Sequence, residues 1–182
     1  VFTTSCAPET MPWSENFDQN ALSTCWNRYS GDFASGVMTT TTSGWSRSSS
    51  NHNAINPDGY DVYFNIYSTN KYTLVTPSIS ISSAAAVLTF DVFGCLYSSY
   101  SSTFDADDRF IVAVSADGGT TWTPHYMMGS DTSRDDMPMA DLTATGTTVT
   151  VPLIGYEGQT VRIAFYAGSY ASGGDNYIAI DN

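Results

Sequence analysis

The chain has 182 residues, a formal net charge of −12, 13% charged residues and 14% aromatic residues. This balance excludes recognition of a nucleic-acid backbone or an anionic membrane surface, because both need clustered Lys and Arg. The charged share is about half the roughly 25% usual for globular domains, and Ser and Thr supply the missing polarity, as in secreted β-proteins.

The length fits one domain whose core is large enough to fold without disulfides, so residues 1–182 read as a single unit. No apolar run reaches the roughly 18 residues that a membrane helix needs. No basic start with an apolar run follows the N-terminus, so any export signal is expected to have been removed.

Taken in chain order, the first extended segment is Ser14–Asp18, flanked by Cys6 and Cys25. Residues 30–50 are rich in Ser, Thr and Gly and read as loop, and Asn56-Pro57-Asp58-Gly59 is a turn signal. Weak strands follow at Tyr60–Tyr67 and Tyr72–Thr76. Alternation with period two then becomes clear. Leu88, Phe90 and Val92 share one strand face, and Phe110, Val112 and Val114 share another. Trp122–Met127 and Thr148–Leu153 are weaker strands. Val161, Ile163, Phe165 and Ala167 form a third stripe opposite Arg162, Ala164 and Tyr166, and Ile178 with Ile180 forms a fourth. Long polar loops are expected at 97–108 and 128–147, with a small-residue loop at 168–174. No segment sustains a helical stripe. About nine or ten strands imply two packed sheets. The last stretch, Tyr177 to Asn182, is a strand pattern that stops in mid-stride and reads as part of a longer chain.

Three cysteines fit one disulfide and one free thiol. Cys6 and Cys25 lie in the polar N-terminal region and are the expected pair, which implies an oxidising compartment. Cys95 follows an apolar strand and is expected to be a buried thiol.

Catalytic motifs are scarce. Ser115-Ala116-Asp117-Gly118-Gly119-Thr120-Thr121-Trp122 resembles the Asp-box of sialidases, S-x-D-x-G-x-T-W. It occurs once, and physically it describes a hairpin whose Asp caps its own turn over a packed Trp. Gln19 with Cys25-Trp26 imitates a papain-like start, but the flanking pattern and the downstream histidine are missing. No nucleophile elbow or zinc spacing is present. No paired carboxylates match those of a glucanase. The chain therefore reads as no enzyme.

Several segments in order carry a family resemblance: Trp13-Ser14-Glu15-Asn16-Phe17-Asp18 through Cys25-Trp26, Leu74-Val75-Thr76-Pro77-Ser78-Ile79, Val87-Leu88-Thr89-Phe90-Asp91-Val92, Gly158 to Phe165, and Ile178-Ala179-Ile180-Asp181-Asn182. Together these are similar to the MAM-type and cleaved-adhesin domains of bacterial surface proteins, the gingipain haemagglutinin and choice-of-anchor type. The resemblance implies an all-β, two-sheet antiparallel jelly-roll sandwich, concanavalin A-like. It also implies a non-catalytic binding or adhesion module on a secreted or cell-surface protein, recognising glycan or an extracellular protein. An isolated domain of this kind is expected to be monomeric. A structural spacer without a ligand, and a glycan hydrolase, are the rival readings.

In this class the first and last strands lie together, and Glu15 and Asp181 occupy the matching positions. A structural calcium ion between them is therefore expected, completed by carbonyl oxygens, with Asp18 and Asp58 as secondary candidates. For the ligand, Tyr97, Tyr100 and Phe104 fall in one loop, and Tyr166 and Tyr170 in or beside another. If the loops are neighbours, these rings form a platform edged by Asp105, Asp107, Asp108 and Asp175. Otherwise they cover the ends of the core with only their hydroxyls wet.

Overall fold

The computed structural model describes residues 6–19, 21–48, 59–97, 104–105, 107–130, 135–171 and 174–182. Among them are fourteen strands: β1 (Glu9–Thr10), β2 (Asn27–Ser30), β3 (Thr39–Thr40), β4 (Ser46–Arg47), β5 (Val62–Tyr67), β6 (Lys71–Val75), β7 (Ile79–Ser80), β8 (Val87–Leu96), β9 (Arg109–Ser115), β10 (Thr123–Gly129), β11 (Met137–Pro138), β12 (Thr147–Pro152), β13 (Thr160–Gly168) and β14 (Asp175–Asp181). They build two sheets. The larger runs β11-β10-β9-β13-β6-β2-β3, with β7 joined to β13 and β1 to β7. The smaller runs β12-β8-β14-β5-β4. Pairing is antiparallel except for β1 with β7 and β10 with β11. This is the expected two-sheet sandwich. Among the described residues no helix is long and apolar enough to cross a membrane.

The four alternating stripes meet between the sheets. Phe90 and Val92 of β8 and Ile178 and Ile180 of β14 face Phe110, Val112, Val114, Val161, Ile163, Phe165 and Ala167 of β9 and β13 in one core. Phe165 sits edge-on to Phe90 at 5.3 Å and stacks near Phe110 at 6.4 Å. Each such ring contributes about 1.5–3 kcal/mol by leaving water. Trp45 fills one end of the core, fully buried, and its indole N–H donates to the Tyr72 carbonyl at 3.2 Å, so its one polar atom is satisfied.

Ser14–Asp18 is not a strand. The Glu15 carboxylate accepts the Phe17 N–H at 3.0 Å, and Phe17 takes a positive φ of 54°. This local turn turns Phe17 into the core instead of presenting its backbone to a neighbouring strand. Cys6 and Cys25 are joined by a disulfide, and Cys95 is free and buried.

Candidate functional site

The outer face of the larger sheet is built in cross-strand rows. In one row Asn27 lies opposite Val75, Val75 opposite Ala164, and Ala164 opposite Ala113. In the next, Tyr29 is opposite Thr73, Thr73 opposite Tyr166, and Tyr166 opposite Ile111. Small residues in the centre leave a floor over which aromatic side chains fold. Tyr29, Phe33, Ile111 and Trp122 pack onto Val75, Ala113 and Ala164 as a second apolar cluster.

Two local structures form the walls. On one side, a 3-10 turn at Phe33–Ser35 is capped by Asp32, whose carboxylate accepts the Ala34 N–H at 2.9 Å. Asp32 also bonds Lys71 at 3.0 Å and accepts the Tyr170 hydroxyl at 3.1 Å, which fixes the turn to the sheet. On the other side, the Asp117 carboxylate accepts the Thr120 and Thr121 N–H groups at 3.0 and 2.9 Å and hydroxyls from Ser115 and Thr121 at 2.8 and 2.7 Å. The Asp-box sequence thus makes the hairpin its chemistry dictates, with Gly118 and Gly119 at positive φ. Between the walls lies a cleft of about 440 Å³, lined by Tyr29, Phe33, Ser35, Met38, Thr121 and Trp122 among others. That volume lies within the roughly 300–1,000 Å³ span of small-molecule sites.

Sequence reasoning missed this cleft. Trp122 was legible only as the base of a hairpin, and Tyr29 and Phe33 stand beside and within a stretch that reads as featureless loop. The missed signal was the placement of β2 beside β6, which carries these rings to the hairpin side of the sheet.

The expected loop platform is partly dismantled. The two loops are neighbours: the Asp107 carboxylate accepts the Ser169 hydroxyl at 2.6 Å and the Tyr170 and Ala171 N–H groups at 3.0 and 2.6 Å. Phe104 and Tyr166, however, are buried at 8% and 0% exposure and offer no face to a ligand. Phe104 belongs to the core between the sheets, and Phe33 folds over Tyr166 with ring centroids 5.7 Å apart. Tyr170 is exposed, and it is held by Asp32 and by Lys71, whose ammonium lies 3.8 Å over its ring. Tyr97 is exposed and packs on Tyr177 at 5.1 Å, and the Asp175 carbonyl accepts its N–H at 2.8 Å. Tyr100 lies outside the described residues.

A second cleft, of about 100 Å³, brings together Glu15 and Asp181 with Ser14, Thr76, Thr89 and Asn182. The Glu15 carboxylate accepts the Phe17 N–H at 3.0 Å and the Trp26 indole N–H at 3.3 Å, and the Asp181 carboxylate accepts the Asn182 N–H at 2.8 Å. Apolar side chains such as Trp13, Trp26, Leu88 and Phe90 make up most of the lining and no basic side chain of the described residues is among it, so the Glu15 and Asp181 carboxylates with the Ser14, Thr76 and Thr89 hydroxyls are the oxygens a hard cation would use. Among the described residues no group of three or more His, Cys, Asp or Glu side chains forms a metal site by itself. Asp18 is not part of this cleft: its carboxylate takes the Tyr60 N–H at 3.2 Å and the Asn16 amide at 2.8 Å. Asp58 lies outside the described residues.

The whole fold is similar to that of two cleaved adhesin domains of Lys-gingipain from Porphyromonas gingivalis. The K1 domain aligns with a TM-score of 0.61 at 18% identity, over 93% of this chain and 94% of that one. The K3 domain aligns with a TM-score of 0.57 at 19% identity, over 93% and 95%. The carbohydrate-binding module TmCBM61, solved in complex with β-1,4-galactotriose, aligns with a TM-score of 0.53 at 13% identity, over 92% and 95%. No protein-family model matches the sequence, and no curated protein matches it. The chain is thus a β-sandwich with the fold of a cleaved-adhesin-like domain.

Proposed function

We propose that the protein is a non-catalytic glycan-binding module of the adhesin type, working outside the cell on a secreted or surface-exposed chain. The observation that carries this reading is the cleft on the outer face of the larger sheet, where Tyr29, Phe33 and Trp122 line the space between two hydrogen-bonded turns. Aromatic side chains offer large contact area at little entropic cost, and a sugar ring stacks its apolar face on them. The fold likeness to a carbohydrate-binding module solved with an oligosaccharide supports the same reading. The Cys6–Cys25 bridge suits an oxidising compartment. Retention on an immobilised glycan array tests it. Wild-type protein should be retained by at least one glycan, and Trp122→Ala and Tyr29→Ala should each lose that retention while remaining folded by circular dichroism.

We further propose a structural calcium ion held by Glu15 and Asp181. Two carboxylates in one small cleft repel each other, and a bound cation would offset that repulsion while tying the N-terminal segment to β14. Its role would be stability, through preferential binding to the folded state.

A further inference from the structure

We propose that the cleft between the Phe33–Ser35 turn and the Asp117 hairpin takes neutral saccharides and rejects acidic ones. This deepens, and rests on, the reading of that cleft as the glycan site. Among the described residues no charged side chain lines it; the lining offers aromatic side chains and the hydroxyl oxygens of Ser35, Thr120 and Thr121, whose protons go to the Asp32 and Asp117 carbonyls and the Asp117 carboxylate.

Each wall carries one carboxylate at its root, and both carboxylates stay ionised. Burial would raise Asp32, but the Lys71 ammonium, the Ala34 N–H and the Tyr170 hydroxyl together hold it below the ordinary carboxylate range. The Thr121 N–H and hydroxyl, with the Ser115 hydroxyl, hold Asp117 well below that range.

The cationic side chains of the described residues lie outside its lining. Lys71 is the chain's only lysine and is committed to Asp32 and the Tyr170 ring. Arg28 reaches back to the Trp45 carbonyl at 3.1 Å, and Arg162 donates to the Ser78 hydroxyl at 3.2 Å. A uronate, sialic acid or sulfated sugar entering the cleft would therefore lose hydration without gaining a cationic partner. It would also approach the Asp117 carboxylate, the Asp32 charge being offset by Lys71, on a chain of net charge −12. A neutral pyranose gives up only the hydration of its hydroxyls. Its apolar face stacks on the rings and its hydroxyls donate to neutral hydroxyl oxygens.

The test is isothermal titration of the 182-residue protein. The neutral probes are the tetrasaccharides of glucose, galactose, mannose and xylose, with β-1,4-galactotriose. The acidic probes are a tetragalacturonate and a heparin-derived tetrasaccharide. Two variants accompany it: Trp122→Ala, and Ala34→Trp, which fills the cleft from an exposed backbone position and removes no packing. The expected result is binding of at least one neutral probe, at least tenfold tighter than either acidic one, and lost in Ala34→Trp. Acidic probes that bind as tightly as neutral ones, with loss in Ala34→Trp, would overturn the neutral preference and leave the cleft as the glycan site. Binding that survives both variants, or no binding by any probe, would overturn the cleft reading and this inference together.

Discussion

Phe33 lies over Tyr166, ring centroids 5.7 Å apart, and seals it from water on the outer face of the larger sheet. The Tyr166 hydroxyl donates to that of Tyr170 at 3.1 Å, and burial together with this neighbour pushes its pKa far above the ordinary tyrosine range. Tyr166 is therefore a packing residue.

Its truncation separates the two kinds of tyrosine in this molecule. Tyr166→Ala should cost about 3–5 kcal/mol, the range for removing a buried aromatic ring. Tyr97→Ala, at an exposed position, should cost less than about 1 kcal/mol. Chemical denaturation of both variants measures the difference, and equal losses would show that Tyr97 is structural too.

Asp108 gives a pH signature. Burial pushes its carboxyl up to about 6, with the Asp107 and Asp105 charges adding to the rise and the Asp105 N–H and the Asn176 amide opposing it. The folded state thus holds a proton that the unfolded chain releases near the ordinary value of about 3.9. The stabilising contribution is complete below that unfolded value and is lost as pH rises through about 6. Asp108→Asn should raise the melting temperature by a few degrees near neutral pH and leave it unchanged below about pH 3.9, where the carboxyl is protonated in both states. An equal effect at both pH values would contradict this assignment.

Calcium dependence is the next expectation. The melting temperature should rise between excess EDTA and millimolar calcium, in proportion to the logarithm of calcium above its dissociation constant. Glu15→Gln should abolish the rise. A melting temperature indifferent to calcium would remove the ion from the account.

The cysteines predict a simple titration. Burial, with the nearby Asp61 charge, pushes the Cys95 thiol up, so the native protein should show no rapidly reacting thiol. Unfolding without reductant should reveal one. Cys6→Ser should lower stability by about 3 kcal/mol, the loop-entropy value for a bridge of this span. Three reactive thiols on unfolding would exclude the bridge.

How much of this was legible in the sequence follows from where each signal resides. The stripes of β8, β9, β13 and β14 were legible because those strands sit centrally with one face in the core, so alternation records burial directly. The burial of Tyr166 was not. Alternation places it on the outward face beside Arg162, and the distant Phe33 turn lies over it. Phe104 reads as a loop aromatic because the residues around it are polar, yet it enters the core against Gly94, where even a Cβ would meet its ring at 2.3 Å. The turn at Glu15 was hidden for another reason: a side chain bonding its own backbone leaves no periodic trace. The cleft combines these difficulties, since its rings come from β2, the turn after it and the Asp-box hairpin.

On the proposed function a glycan enters the cleft beside Trp122. The chain has four tryptophans in three surroundings: Trp13 and Trp26 beside Glu15, Trp45 in the core, and Trp122 in the cleft wall. Their indole N–H signals in a proton–nitrogen correlation spectrum therefore report on three regions at once. On addition of a bound neutral oligosaccharide, the Trp122 signal should shift while those of Trp13, Trp26 and Trp45 stay in place. Shifts confined to Trp13 and Trp26, with Trp122 unmoved, would put the ligand in the Glu15–Asp181 cleft and contradict the account.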